Sequence, residues 1–137
     1  MRILFDTNVI LDLMLGRPHG DVAGQLVAAV ERERLGGLLC ATSVTTVEYL
    51  VARARGRAEA KHAIGTLLRL FEVAAVTRAV LESALELSFS DYEDAVLHEA
   101  ARIAEAEGIV TRNGADFKEA TLPVFAPMEL MAAIAGE

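Results

Sequence analysis

Short apolar runs, each followed by a longer stretch of helical periodicity, recur from one end of this chain to the other. Arg2–Phe5, Leu38–Ala41, Phe71–Val76, Ile109–Thr111 and Leu122–Phe125 are too short to be buried helices and read as buried strands. The intervening segments carry apolar residues at helical spacing. They cover Asn8–Leu15, Asp21–Leu35, Thr42 or Ser43 to about Gly56, Ala58–Leu70, Thr77 or Arg78 through Leu87, about Asp91 to Glu107, and Pro127–Ala135. Parallel strands need a crossover of a dozen or more residues between them, usually a helix. The alternation therefore predicts an α/β sandwich around a mostly parallel sheet of four to five strands. No linker, repeat or low-complexity segment divides residues 1–137, so one domain is expected.

Punctuation residues set the expected boundaries. Gly36-Gly37 and Gly108 follow two of the helical stretches and read as their stops. Ser90-Asp91-Tyr92-Glu93 fits a capping box with Ser90 as N-cap. Pro127 opens the last helix, where its missing N–H costs nothing.

The chain has 137 residues, 53% of them hydrophobic, and a mean hydropathy of +0.36, which excludes an unfolded chain. Charged residues interrupt every apolar stretch before the roughly 18 residues a membrane span requires. Met1-Arg2 leads straight into the first strand without an apolar leader, so the expected compartment is the cytoplasm. Cys40 is the single cysteine and lies in an apolar run, as a buried small hydrophobe would. A net charge of −7 argues against coating nucleic acid through a general basic surface. Positive charge is nonetheless dense at Arg53, Arg55, Arg57 and Lys61. These are candidate phosphate contacts, with Arg112 as a further one.

The negative charge is placed more tellingly. Asp6 follows a buried strand directly, where an acid is costly unless something positive sits on it. Asp116 lies just beyond Ile109–Thr111, Asp94 is in the first turn of a helix, and Glu48 follows the second strand by about two turns. In an open parallel sheet, ligands bind beyond the carboxyl ends of the strands. Four acids from distant segments at that rim predict one acidic pocket for a hard divalent cation. Asp91 and Glu93 are explained by the start of their helix, which favours negative charge. Asp12 is expected on the polar face of its short helix, and His98 on a helix surface. Asn113 sits in an Asn-Gly turn beside Asp116, and a turn alone would account for it.

Carboxylates without a Cys or His set favour Mg²⁺ or Mn²⁺ over zinc. Such ions assist phosphodiester hydrolysis. No glycine-rich dinucleotide turn, P-loop or Gly-x-Ser-x-Gly elbow is present.

The segment Ile3-Leu4-Phe5-Asp6-Thr7-Asn8-Val9-Ile10-Leu11-Asp12 closely resembles the opening motif of PIN-domain proteins. Asp91-Tyr92-Glu93-Asp94-Ala95 and Ile109–Asn113 through Asp116-Phe117 resemble their later acidic motifs, and Glu48 falls where the family's second acid belongs. The closing Leu122–Pro127 is also similar, so the resemblance spans nearly the whole chain. It implies a three-layer α/β/α fold and a metal-dependent ribonuclease, with Asp6, Glu48, Asp94 and Asp116 as the acidic quartet and Asn113 in support. Many small members are VapC-type toxins, which implies an RNA substrate, an antitoxin partner and a homodimer. A non-catalytic module binding RNA or protein, and a housekeeping RNA-processing nuclease, stand as the alternatives.

Overall fold

The computed structural model describes residues 1–136. The chain runs β1 (Arg2–Phe5), α1 (Thr7–Met14), α2 (Gly20–Glu31), β2 (Gly36–Cys40), α3 (Ala41–Arg55), α4 (Arg57–Leu70), β3 (Glu72–Ala74), α5 (Arg78–Leu85), α6 (Tyr92–Ile103), β4 (Gly108–Val110), β5 (Val124–Phe125) and α7 (Pro127–Ala135), with a 3-10 turn at Gly114–Phe117. The five strands form one sheet in the order β3-β2-β1-β4-β5, and every pairing is parallel. The alternating pattern thus yields the expected α/β/α sandwich, with the number of strands at the upper end of the range.

Side chains alternate across the sheet, as strand geometry requires. Ile3, Phe5, Leu39 and Val110 are buried in one core with residues of α1, α2, α3, α4 and α7. Leu4, Leu38, Cys40 and Ile109 are buried in the other with α5 and α6. Phe5 is fully buried and meets Phe71 edge-to-face at 5.1 Å, where burial of the ring contributes about 2–3 kcal/mol. Cys40 is buried and free, as its apolar run implied.

Two helix ends differ from the sequence reading in the same way. α2 stops at Glu31 and α6 at Ile103, and the left-handed residue beyond each is a glutamate: Glu33 at φ 59° and Glu105 at φ 63°. The glycines expected to end these helices open strands instead. A Cβ on Gly37 would lie 2.6 Å from the Phe71 ring, and one on Gly108 would lie 2.9 Å from Phe125. Close approach, not turn geometry, demands glycine there. The start of α6 also moves by one residue. Asp91, not Ser90, is its N-cap, and its Oδ1 accepts the N–H of Glu93 at 2.8 Å.

The strand order places a topological switch point between β1 and β4. β1 leads through α1 and α2 toward β2, whereas the segment after β4 leads the other way, toward β5. The carboxyl ends of these two central strands diverge there and open a crevice. Among the described residues, no helix is long and apolar enough to cross a membrane.

Candidate functional site

Asp6 stands at the switch point. Its N–H donates to Val110 O at 2.9 Å, extending the β1–β4 ladder by one residue. Register then dictates the next neighbour: Phe5 lies opposite Val110, so Asp6 comes beside Thr111. The Thr111 hydroxyl donates to Asp6 Oδ2 at 2.8 Å and accepts the N–H of Asn113 at 3.0 Å. The other carboxylate oxygen, Oδ1, accepts the N–H of Thr7 at 2.7 Å and so caps α1. Asp6 is 7% exposed, and its hydrogen-bond donors are neutral.

Burial raises the Asp6 carboxyl above the ordinary range. The hydrogen bonds from Thr111 and Thr7 offset part of that rise, while the charges of Glu93 and Asp116 add to it. Asp94, in the first turn of α6, is pushed up to about 7. Burial is the largest cause, followed by the charges of Asp6, Asp91, Asp116 and Glu93. Asp6, Asp94 and Asp116 therefore share one electrostatic field, although they come from β1, α6 and the turn after β4. Asp91 and Glu93, which the start of α6 explains by itself, both bear on Asp94 through their charge.

Glu48 is placed differently. It is exposed on α3 and lines a cavity of about 410 Å³ with Arg57, Ala58, Lys61 and Ile64. Asn113 is exposed and contributes through its backbone, donating to Thr111 and accepting the N–H of Asp116 at 3.0 Å. Arg53 lies over the exposed Tyr49 ring, 5.7 Å from its centroid. Arg55 lines a separate cavity with Met14, Val51 and Glu59.

Asp12 and Arg112 depart from expectation together. Asp12 is 1% exposed rather than on a polar face. The Arg112 guanidinium grips it in bidentate fashion, at 2.7 Å to Oδ2 and 3.2 Å to Oδ1, and Arg17 approaches within 3.8 Å. Arg112 is thereby committed to α1 rather than free for a ligand. Its own N–H also donates to Asn8 Oδ1 at 3.4 Å, tying the start of the post-β4 segment to α1 a second time. His98 is buried as well, at 1% exposure, and not on a helix surface. A carboxylate two residues before the end of a short helix, paired with an arginine 100 residues away, leaves no periodic trace in the sequence. Thr111 was traceable: once β1 and β4 are paired in register, it must stand next to Asp6.

These oxygens suit a hard cation. Asp6 offers a buried carboxylate held by neutral donors, and Asp94 and Asp116 add acid oxygens that no ion pair among the described residues engages. Among the described residues, no three Asp, Glu, His or Cys side chains are drawn together tightly enough to form a ready-made metal cage. The acids concerned, Asp6, Asp94 and Asp116, are all carboxylates, with no Cys or His among them.

A family model described as the PIN domain matches residues 2–115. No curated protein matches the chain in sequence. Among solved structures, VapBC2 from Rickettsia felis bound to a promoter DNA fragment superposes with a TM-score of 0.72 at 14% identity, over 92% of this chain and 98% of that one. A toxin–antitoxin complex from Klebsiella pneumoniae gives 0.69 at 24% identity, over 91% and 97%. VapC20 from Mycobacterium tuberculosis, a toxin that cleaves the sarcin–ricin loop, gives 0.63 at 18% identity, over 78% and 86%. At these identities the likeness is one of fold.

Proposed function

The chain belongs to the PIN-domain family, and from that membership we propose that it is a divalent-metal-dependent endoribonuclease, the toxin of a type II toxin–antitoxin pair. The single observation that carries this is the placement of Asp6. It is a buried acid at the switch point with neutral hydrogen-bond donors, and it shares its field with Asp94 and Asp116. A structural carboxylate would be expected to carry a cationic partner, as Asp12 does.

Asp6 and Asp94 would hold the principal ion, Mg²⁺ or Mn²⁺, and Asp116 would complete its coordination. Such an ion offsets charge on an attacked phosphoryl group and acidifies bound water. The protein's own contribution is orientation: Thr111 and Thr7 fix both oxygens of Asp6, and Asn113 holds Thr111 in place. Glu48 is the outlying member of the proposed quartet, with a supporting role from α3. Arg53, Arg55, Arg57 and Lys61 on the α3–α4 hairpin are the proposed phosphate contacts. Asn113 and Arg112 act on the site through the backbone and through Asp12. The proposed partners are single-stranded RNA as substrate, an antitoxin protein and a second copy of the chain, in the cytoplasm. The toxin–antitoxin complexes among the similar folds support the antitoxin.

The test is Mn²⁺-dependent cleavage of a mixed RNA panel, with EDTA as control. Asp6→Asn and Asp94→Asn should each lose activity by at least about 100-fold with the circular dichroism spectrum unchanged, and Glu48→Gln should lose less. Full activity in both aspartate variants would overturn the proposal.

A further inference from the structure

His98 lies one turn after Asp94 on α6, where residues four apart share a helix face, and its ring is buried. Its Nε2 lies 3.1 Å from the backbone nitrogen of Thr121, with Thr121 Oγ1 at 3.4 Å. A backbone N–H can only donate, so Nε2 is the acceptor and the ring proton sits on Nδ1. Nδ1 then donates to Glu99 Oε2 at 2.8 Å. Glu99 is held in turn by Arg102, with Nη2 at 2.9 Å from Oε1, and by the Ser83 hydroxyl. Burial alone would raise the Glu99 carboxyl, but the hydrogen bonds from Arg102, Ser83 and His98 outweigh it and bring it down to about 2. The Glu99 carboxylate, accepting from Nδ1, thus holds the tautomer that offers Nε2 to Thr121.

Thr121 ends the segment that leaves β4, and that segment carries Asp116. A second contact reaches the same segment. The Phe89 ring lies 5.4 Å from the His98 ring and 5.8 Å edge-to-face from Phe117, which is buried and directly follows Asp116. At its other end the segment is already tied down by the Arg112–Asp12 pair. We propose that His98 is a positioning residue: through Thr121 and Phe89 it sets where Asp116 stands relative to Asp94. The inference rests on the nuclease reading for its consequence, though not for its geometry.

Two amide substitutions separate this role from simple core packing. His98→Gln keeps an acceptor where Nε2 stood and loses the donor to Glu99. His98→Asn keeps the donor and loses the acceptor. Manganese uptake by the metal-free protein is measured by calorimetry, and hydrogen exchange at the Thr121 amide is measured without metal. His98→Asn should weaken Mn²⁺ binding about 10-fold, as outer-shell partners of metal ligands do, and should expose Thr121 to exchange. His98→Gln should stay near wild type in both. Equal behaviour of the two variants, or wild-type behaviour of His98→Asn, would overturn the proposal. If His98→Asn does not fold, Thr121→Pro removes the same hydrogen bond from an exposed position and should give the same Mn²⁺ loss. If wild type takes up no Mn²⁺, the nuclease reading fails, and exchange at Thr121 and across residues 113–117 alone decides the positioning role.

Discussion

An aspartate whose carboxyl is pushed up toward neutrality costs the metal-free protein stability as the pH rises. Asp94 has an ordinary value of 3.8 and is pushed up to about 7 in the fold. Between those values the folded state keeps a proton that the unfolded chain releases, so stability falls as pH rises from about 4 to about 7. Above that window the loss is complete. Asp94→Asn should flatten the slope to the part that the raised Asp6 carboxyl contributes and, in EDTA at pH 8, stabilise the protein by about 1–2 kcal/mol once solvent screening is allowed for. Denaturant titrations at pH 4.5 and pH 8 measure both effects, and equal stability of variant and wild type at pH 8 would contradict them. Glu99 works in the opposite direction. Brought down to about 2, it stabilises the fold above its ordinary value of 4.5, and that contribution is lost only as acid protonates it. Asp12 is the third kind of acid, fully buried and paired. Arg112→Met leaves it without its bidentate partner and should cost about 2–3 kcal/mol in urea unfolding. A cost near zero would mean that Arg17 alone suffices.

Elements were readable in this sequence to the extent that burial shaped them. The run Arg2–Phe5 is β1 to the residue, and Pro127–Ala135 is α7 to the residue, because apolar periodicity and a helix-start proline leave little choice. The ends of α2 and α6 were misread because glycine answers two different needs. Gly37 and Gly108 make room for phenylalanine rings, and nothing local distinguishes that from a helix stop. The consequence is testable. Glu33 and Glu105 occupy left-handed backbone that suits glycine far better. Glu33→Gly and Glu105→Gly should each stabilise the protein by roughly 0.5 kcal/mol, net of the added freedom of the unfolded chain. Thermal melts of the single and double variants check the sum, and a lower melting temperature for either would refute the backbone account. Within the candidate site, Asp6, Asp94 and Asp116 stood out as acids at strand and helix ends. His98 and the Asp12–Arg112 pair did not, because their partners lie on segments remote in sequence and only tertiary packing joins them.

At the scale of the molecule, the sheet order does the gathering. With β1 central and the chain departing in opposite directions from β1 and β4, Asp6 stands at the switch point, and the charges of Asp6 and Asp116 both bear on Asp94. Unbalanced negative charge there should make the whole fold respond to a cation. At about 100 times its dissociation constant, Mn²⁺ should add about 2.7 kcal/mol and raise the melting temperature by about 5–10 °C. Asp6→Asn should remove that rise. Scanning calorimetry with and without manganese decides it, and an equal rise in the variant would place the ion elsewhere.

The bond from Thr111 to Asp6 spans 105 residues of sequence. A ribosome making this chain therefore exposes Asp6 long before the strand that completes its surroundings has been synthesised. If the chain cuts RNA, it emerges harmless, and the messenger that encodes it is safe until the fourth strand docks.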